Sequence, residues 1–226
     1  MHYDRMVKGT FLARPNRFVA HIEITGQVEV CHVKNTGRCR ELLVPGADII
    51  VQRSDNPNRR TKYDLISVYK GSRLINMDSA APNAVFGEWL KAGGAGEIPS
   101  LIKPECTHGD SRFDFYFEIG DRRIFAEVKG VTLEENGIVR FPDAPTERGA
   151  KHLRGLSNCT AEGYESWAVF IIQMDNVKYF EPNTARDPVF SAELRRAAEA
   201  GVRLMALDCK VGKDSLSIAK PVEIRL

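Results

Sequence analysis

The chain has 226 residues, 43% of them hydrophobic, with 32 Lys and Arg against 30 Asp and Glu for a net charge of +2. That apolar content is enough for a buried core and excludes a disordered polyelectrolyte. No apolar run approaches the length of a bilayer span and the opening residues MHYDRMVKGTF lack the apolar centre of a secretory signal, so a cytoplasmic protein is expected.

The near-zero net charge conceals an asymmetry. Up to Ala80 there are thirteen Lys and Arg against eight Asp and Glu, or +5, and from Ala81 onward nineteen against twenty-two, or −3. Positive charge concentrated in front suits contact with a polyanion, because Lys and Arg placed against phosphates gain affinity by counterion release. The same part holds short strand-like runs, FVAHIEI, VEVCHVK, ADIIVQR, DLISVYK and RLINM, separated by Gly, Pro and Asn-rich turns. This spacing predicts a small barrel. Arg14, Arg17, Lys34, Arg38 and Arg40 lie at its entry and around NTGR, while Arg53, Arg59, Arg60 and Lys62 cluster in and beside SDNPNRRTK. Such loops can track a phosphate backbone, so Arg38, Arg40, Arg59, Arg60 and Lys62 are candidate nucleic-acid contacts. Phe11, Phe18, Tyr63 and Tyr69 are suited either to stacking on bases or to filling the barrel. Asn35 to Gly37 reads as a turn, with or without an anion on its amides.

Cys31, Cys39, Cys106, Cys159 and Cys209 are odd in number and scattered, as expected of reduced thiols. Cys31-His32 with Cys39 lacks a fourth zinc ligand at recognised spacing. A domain boundary is expected in MDSAAPNAV, after which Pro82 begins a helix toward Lys91. This gives a basic barrel over 1–80 and a second domain over 81–226. The glycine-rich AGGAGEIPS reads as a flexible connection.

Charge inside an apolar hairpin marks the next segment, RFDFYFEIGDRRIFAEVK. Phe113 to Ile119 and Arg122 to Val128 flank Gly120-Asp121, a pair suited to a two-residue turn. Counting outward pairs Ile119 with Arg122, Phe117 with Ile124, Phe115 with Ala126 and Asp114 with Glu127. Alternation puts Phe113, Phe115, Phe117, Ile124, Ala126 and Val128 on one face, and Asp114, Glu127 and Lys129 on the other. Directly opposed carboxylates repel, and a shared divalent cation, Mg²⁺ or Mn²⁺, offsets that repulsion. Lys129 then stands where an ammonium polarises an attacking water or steadies a phosphate oxygen. Two carboxylates and a lysine around a metal suit phosphodiester hydrolysis. An ordinary salt-bridge cluster on a polar face is the competing explanation.

Beyond the hairpin, Thr146 to Glu162 reads as a helix capped by the Thr146 hydroxyl, with Glu147 in its first turn. Arg148, Lys151 and His152 project from its first two turns, either toward a phosphate or as a solvated face. His152 is a candidate acid or base, or a packed histidine. WAVFIIQ reads as a buried strand, Pro188 to Ala200 as a helix, and RLMALDC as a strand. Alternating strands and helices after a hairpin describe an α/β core with a mixed sheet.

The segments RFVAHIEI, HVKNTGRCRELLVPGADI, RFDFYF, FAEVKGVTL and FPDAPTERGAKHLRGL, with the spacing between them, together resemble the sugar fermentation stimulation protein A family over most of the chain. The resemblance implies an oligonucleotide-binding (OB)-like barrel followed by a restriction-endonuclease-like domain of the PD-(D/E)XK type, in proteins described as DNA-binding. It also implies a regulatory role in sugar metabolism, maltose in particular, and places the metal site at Asp114, Glu127 and Lys129. Glu105, in IKPEC, is a further candidate metal carboxylate. In this fold a helix reading TERGAKHL lies near the substrate backbone. The family's Pro-Asp signature is displaced here: Asp114 follows Phe113, and Pro142-Asp143 comes after the lysine.

Three functions are therefore expected to be in competition. The first is a regulator binding duplex or single-stranded DNA, and the second a Mg²⁺- or Mn²⁺-dependent endonuclease using Asp114, Glu127 and Lys129. The third is a regulator sensing a small phosphorylated ligand.

Overall fold

The computed structural model describes residues 1–35 and 37–226. The first half forms a barrel from β1 (Met6–Asn16), β2 (Val19–Ile24), β3 (Gln27–Val33), β4 (Asp48–Arg53) and β5 (Tyr63–Lys70), with β6 (Arg73–Asn76) continuing antiparallel from β5. The order is β3-β2-β1-β4-β5-β6, and a parallel β3–β5 pairing closes the barrel. β1 was not among the expected strands. Its two register shifts against β2 bend it around the barrel, which breaks the alternation by which a strand is read. Phe11, Ile22, Val51 and Leu65 fill the interior.

The expected NTGR turn includes Thr36, which lies outside the described residues. The residues around it are held by Arg14, whose guanidinium donates to the carbonyls of Gly37, Arg38, Arg17 and Asn35 at 2.7–2.8 Å.

Helix α1 (Ala81–Lys91) follows the barrel and packs on a six-stranded mixed sheet of order β15-β14-β12-β9-β8-β7. Its strands are β7 (Leu101–His108), β8 (Ser111–Ile119), β9 (Arg122–Val131), β12 (Glu165–Ile172), β14 (Arg203–Val211) and β15 (Leu216–Pro221). β9, β12 and β14 run parallel and the others antiparallel. A small sheet of β10 (Leu133–Glu135), β11 (Ile138–Phe141) and β13 (Tyr179–Pro182) lies beside it. Helices α2 (Glu147–Ala161) and α3 (Pro188–Glu199) pack on each other, and α2 rests on β8, β9 and β12. The sheet thus has an α1 face, with Phe117, Ile124, Trp167 and Val169, and an α2 face, where Phe125 and Phe170 share a core with Leu153 and Leu156 of α2. Burying each such side chain stabilises by about 1.5–3 kcal/mol.

The hairpin register is the expected one from Ile119–Arg122 to Phe115–Ala126, and Gly120 at φ 55 supplies the left-handed turn residue. Two details differ from simple alternation. The ladder stops one pair short of Asp114–Glu127, and Phe113 packs with Phe125 on the α2 face, apart from Phe115. Glu105 supplies the physical reason: it adopts a left-handed backbone, φ 53, between the pairs Pro104–Phe115 and Cys106–Phe113. That disturbance of the adjacent strand lies opposite Asp114, where β8 changes the face it presents.

The halves share one buried apolar cluster, to which barrel Leu42 and Met77 and second-half Val131 and Val139 all belong, and polar side chains add to the contact. Asp78, buried just before α1, accepts from Lys34 of the barrel at 2.5 Å, and Gln173 after β12 donates to Asn76 Oδ1 and the Asp78 carbonyl at 2.9 and 3.0 Å. Buried Glu134 on β10 pairs with Lys70 at 2.8 Å and Arg73 at 2.9 Å, both on barrel strands. Residues 1–3 belong with the second half: the Met1 ammonium bonds Glu88 at 2.6 Å, and the Tyr3 amide donates to the Asp214 carbonyl at 2.7 Å. No helix among the described residues is long and apolar enough to cross a membrane.

Candidate metal centre

β8 and β9 bring Asp114, Glu127 and Lys129 together where the hairpin ladder ends. With the ladder stopped, the Val128 amide lacks a strand carbonyl opposite it, and the Asp114 carboxylate takes that place, accepting through Oδ2 at 2.8 Å. Asp114 Oδ1 accepts from the Asn83 amide on α1 at 2.9 Å. Burial and the neighbouring Glu127 raise the Asp114 pKa above the usual carboxylate range, against the hydrogen bonds from Val128 and Asn83 and the more remote Lys129 ammonium.

Glu127 points to the α2 face and is only 5% exposed. Its Oε1 accepts from Lys129 Nζ at 2.5 Å and from His152 Nδ1. Burial pushes its pKa up, but the His152 hydrogen bond and the Lys129 ammonium outweigh that and hold the carboxylate ionised. Its other oxygen, Oε2, is buried without a hydrogen-bond partner. A buried carboxylate oxygen left unpaired costs roughly 1–3 kcal/mol or more.

His152 is 6% exposed and placed by the Thr146 cap, whose hydroxyl accepts from the Gly149 amide at 3.0 Å. Gly155, one turn further on, lets α2 approach β8 closely: a Cβ there would lie 2.6 Å from Ser111 Oγ and 3.1 Å from Phe113 Cζ. Arg148 Nε donates to His152 Nε2 at 3.4 Å, leaving the ring proton on Nδ1 for Glu127. The imidazole is therefore a positioning group for Glu127, both packed and polar. Asn83 was not legible as a site residue, since nothing in a helix-start sequence such as SAAPNAVFG marks an asparagine for a strand 31 residues away.

The remaining expected site residues are spread out. Glu105 is exposed in an ion pair with exposed Arg112 and does not join Asp114 and Glu127. Among the described residues no three His, Cys, Asp or Glu side chains converge as a metal site, so the protein side chains on offer are two carboxylates. Hard oxygen donors in that number, one with a bare buried oxygen, fit Mg²⁺ or Mn²⁺, which keep several waters and take one or two carboxylates. Lys151 bonds the Asp110 carbonyl at 3.0 Å, and Arg148 is exposed.

On the barrel, Arg59 is committed internally. It grips the largely buried Asp64 with two bonds of 2.6 and 2.8 Å, and His32 adds a third at 2.9 Å. Burial opposes ionisation of Asp64, but these partners hold its pKa below the usual range. Arg60 is exposed, and Lys62 is exposed beside Glu29 at 3.5 Å. Arg38 and Arg40 are exposed and, with Arg17, Phe11, Leu43 and Pro45, line a groove of about 640 Å³. Phe11 and Tyr63 are core residues, whereas Phe18 is 46% exposed with the Arg17 guanidinium 4.9 Å from its ring centre. The Arg38 amide donates to Asp143 Oδ2 at 3.1 Å, so the groove-lining loop touches the FPDAP segment of the second half.

Comparison with known proteins agrees with this architecture. The profile described as "SfsA N-terminal OB domain" matches residues 12–77, and that described as "Sugar fermentation stimulation protein RE domain" matches residues 80–215. The chain belongs to the sugar fermentation stimulation protein family. A sugar fermentation stimulation protein homolog of Clostridium beijerinckii is 54% identical over 100% of both chains. One from Desulfitobacterium hafniense is 56% identical over 100% of this chain and 99% of its own. Among solved structures, that titled "The structure of Pyrococcus Furiosus SfsA in complex with Ca2+" superposes with a TM-score of 0.90 at 27% identity, covering 100% of this chain and 98% of that one.

Proposed function

We propose that the protein binds DNA and hydrolyses its phosphodiester bonds with Mg²⁺ or Mn²⁺ held by Asp114 and Glu127. The observation that carries this reading is the buried, unpartnered Glu127 Oε2, together with Asp114, whose ionisation is opposed by burial and by the charge of Glu127. A divalent cation satisfies the first and reverses the second. The Pyrococcus furiosus relative, solved in complex with Ca²⁺, supports a divalent site in the family.

In this reading the cation supplies charge stabilisation at the scissile phosphate and lowers the pKa of a water. The chain's own residues do the rest. Lys129, 2.5 Å from Glu127 and 22% exposed, directs an ammonium at the same place and steadies charge developing on a phosphate oxygen. His152 fixes the Glu127 carboxylate through Oε1, so that Oε2 is the oxygen left to bind. The groove at Arg17, Arg38 and Arg40 supplies cations for the nucleic-acid backbone, and Phe18 a ring face for a base. A regulatory role in sugar fermentation, as the relatives' names have it, is compatible with DNA binding whether or not every encounter ends in cleavage.

The test is incubation of full-length protein with linear duplex, single-stranded and branched DNA in Mg²⁺, Mn²⁺ or EDTA. Cleavage requiring metal and lost in Asp114→Asn and Lys129→Ala is expected. Cleavage undiminished in both variants, or no cleavage of any form, would remove the hydrolytic reading. Absence of any mobility shift at low salt would remove DNA binding as well.

A further inference from the structure

The hydrogen bond between Asn83 and Asp114 carries an inference that rests on the metal-site reading and extends it to the residue that shapes the site. Asn83 stands in the first turn of α1, in no part of the hairpin, yet its Nδ2 reaches Asp114 Oδ1 at 2.9 Å. Short polar side chains are at home near a helix start, so Asn83 sits there at little cost and is free to direct its amide to Asp114.

Its geometric effect follows from the second bond on the same carboxylate. The Val128 amide holds Oδ2 at 2.8 Å and Asn83 holds Oδ1, so the carboxylate plane is pinned from two elements and cannot swing freely about its terminal torsion. The Val128 bond is part of the hairpin backbone, and Asn83 is the side-chain restraint. Helix α1 is itself held firmly: the Asp78 carbonyl accepts from the Ala81 amide at 3.1 Å, Asp78 Oδ1 from the Ala80 amide at 3.0 Å, and Asp78 Oδ2 from Lys34 at 2.5 Å. Pro82, next to Asn83, abuts the strand carrying Lys129: a Cβ on Gly130 would lie 2.7 Å from Pro82 Cγ. The amide is thus presented from a rigid support.

With one donor on each oxygen, the pinned carboxylate keeps one lone pair per oxygen, each in a fixed direction, whereas a free one can turn both oxygens onto the same ion. Mg²⁺ and Mn²⁺ in octahedral oxygen sites are served by the first arrangement; Ca²⁺, with its longer bonds and flexible coordination, accepts either. We infer that Asn83 is a positioning residue that holds Asp114 for single-oxygen binding and thereby selects the small divalent cations, Mg²⁺ and Mn²⁺, over Ca²⁺.

The experiment compares full-length protein with Asn83→Ala. Affinities for Mn²⁺ and for Ca²⁺ alone are measured by calorimetry, and the unfolding temperature is measured in EDTA. Loss of an outer-shell partner weakens metal binding by about 10–100-fold. The expected result is a Kd for Mn²⁺ raised at least about tenfold, a Kd for Ca²⁺ changed by less than about threefold, and a cooperative unfolding transition in EDTA lowered by no more than about 10 °C from that of the parent. Asn83→Ser, which keeps a shorter donor, is expected to recover part of the Mn²⁺ affinity. An equal loss for both ions would assign Asn83 a merely structural role and overturn the inference, as would unchanged Mn²⁺ affinity. Failure of the parent protein to bind either ion would overturn the metal-site reading itself, a result distinct from both.

Discussion

Asp114→Asn offers a test in which the sign of the stability change depends on the metal. In metal-free protein Asp114 is a carboxylate whose ionisation is opposed first by burial and then by Glu127. A carboxyl with a raised folded-state pKa favours folding below its unfolded-state value of about 3.9, and that advantage is lost as pH rises through the raised value. At pH 7 the ionised group is a burden. The asparagine amide fits the same partners: its oxygen can accept from Val128 and its NH₂ can donate to Asn83, whose own amide turns over to accept. Relieving a strained functional position commonly gains about 0.5–2 kcal/mol. For a chain of this size, 1 kcal/mol corresponds to roughly 2–4 °C in the unfolding temperature. Saturating metal reverses the order, since a ligand at one hundred times its Kd stabilises the parent by about 2.7 kcal/mol, which the variant forgoes. With a gain of 1 kcal/mol, the curves cross at roughly four to five times the Kd. Differential scanning calorimetry at pH 7 in EDTA and across a Mn²⁺ series reads both halves. A variant less stable than the parent in EDTA, or an advantage that survives saturating Mn²⁺, would refute the reasoning.

Lys129→Ala removes the ammonium but neither carboxylate, so hydrolysis in Mn²⁺ is expected to fall about 10²–10³-fold, the usual cost of deleting one charge-stabilising group, while calorimetry still detects metal. Arg59→Ala leaves Asp64 with His32 as its remaining side-chain partner and is expected to cost about 1–3 kcal/mol in urea unfolding, with DNA affinity unchanged. Because Asp64 has a lowered folded-state pKa, its ion-pair contribution is full above the unfolded value of about 3.9 and is lost as pH falls through the lowered one; the Arg59→Ala variant should show a shallower acid limb in stability against pH. Arg38→Ala with Arg40→Ala should weaken DNA binding and reduce the slope of log K against log salt by roughly 0.7–0.9 for each phosphate no longer neutralised, as measured by fluorescence anisotropy.

What could be read in the sequence divides along the range of the interactions involved. The hairpin register was legible because a two-residue turn with glycine counts both strands outward from a fixed point, and its apolar residues permit one face assignment. The helix at Glu147 was legible because Thr146 announces its own cap. The break at Asp114 was not, since it lies opposite a left-handed Glu105 on β7, a strand whose LIKPECTH sequence carries a proline and little alternation. Arg59 looked available because Asp64, its partner, reads as the start of the strand DLISVYK, and burial of that carboxylate depends on closure of the barrel through β3 and β5. Asp114, Glu127 and Lys129 lie around the end of the hairpin ladder, but the expected direct cross-strand pair of carboxylates does not form. Asp114 serves as a backbone acceptor for Val128, and Glu127 turns toward α2.

That difference explains how the two carboxylates are accommodated side by side. Two ionised carboxylates in a dry ladder pair would leave their repulsion uncompensated, whereas here each has separate support. Glu127 has His152 and Lys129 on one oxygen, and Asp114 has two neutral donors, one on each oxygen. The support is unequal. Glu127 is held ionised with one oxygen free, while Asp114 is the group whose charge waits on a partner. The donor that orients Asp114 comes from the helix that directly follows the barrel, and the start of that helix is tied to barrel Lys34 through Asp78. The path from the barrel to the Asp114 carboxylate thus runs through one ion pair, the start of α1 and one hydrogen bond, so a change at Lys34 is expected to reach Asp114 through Asp78 and Asn83.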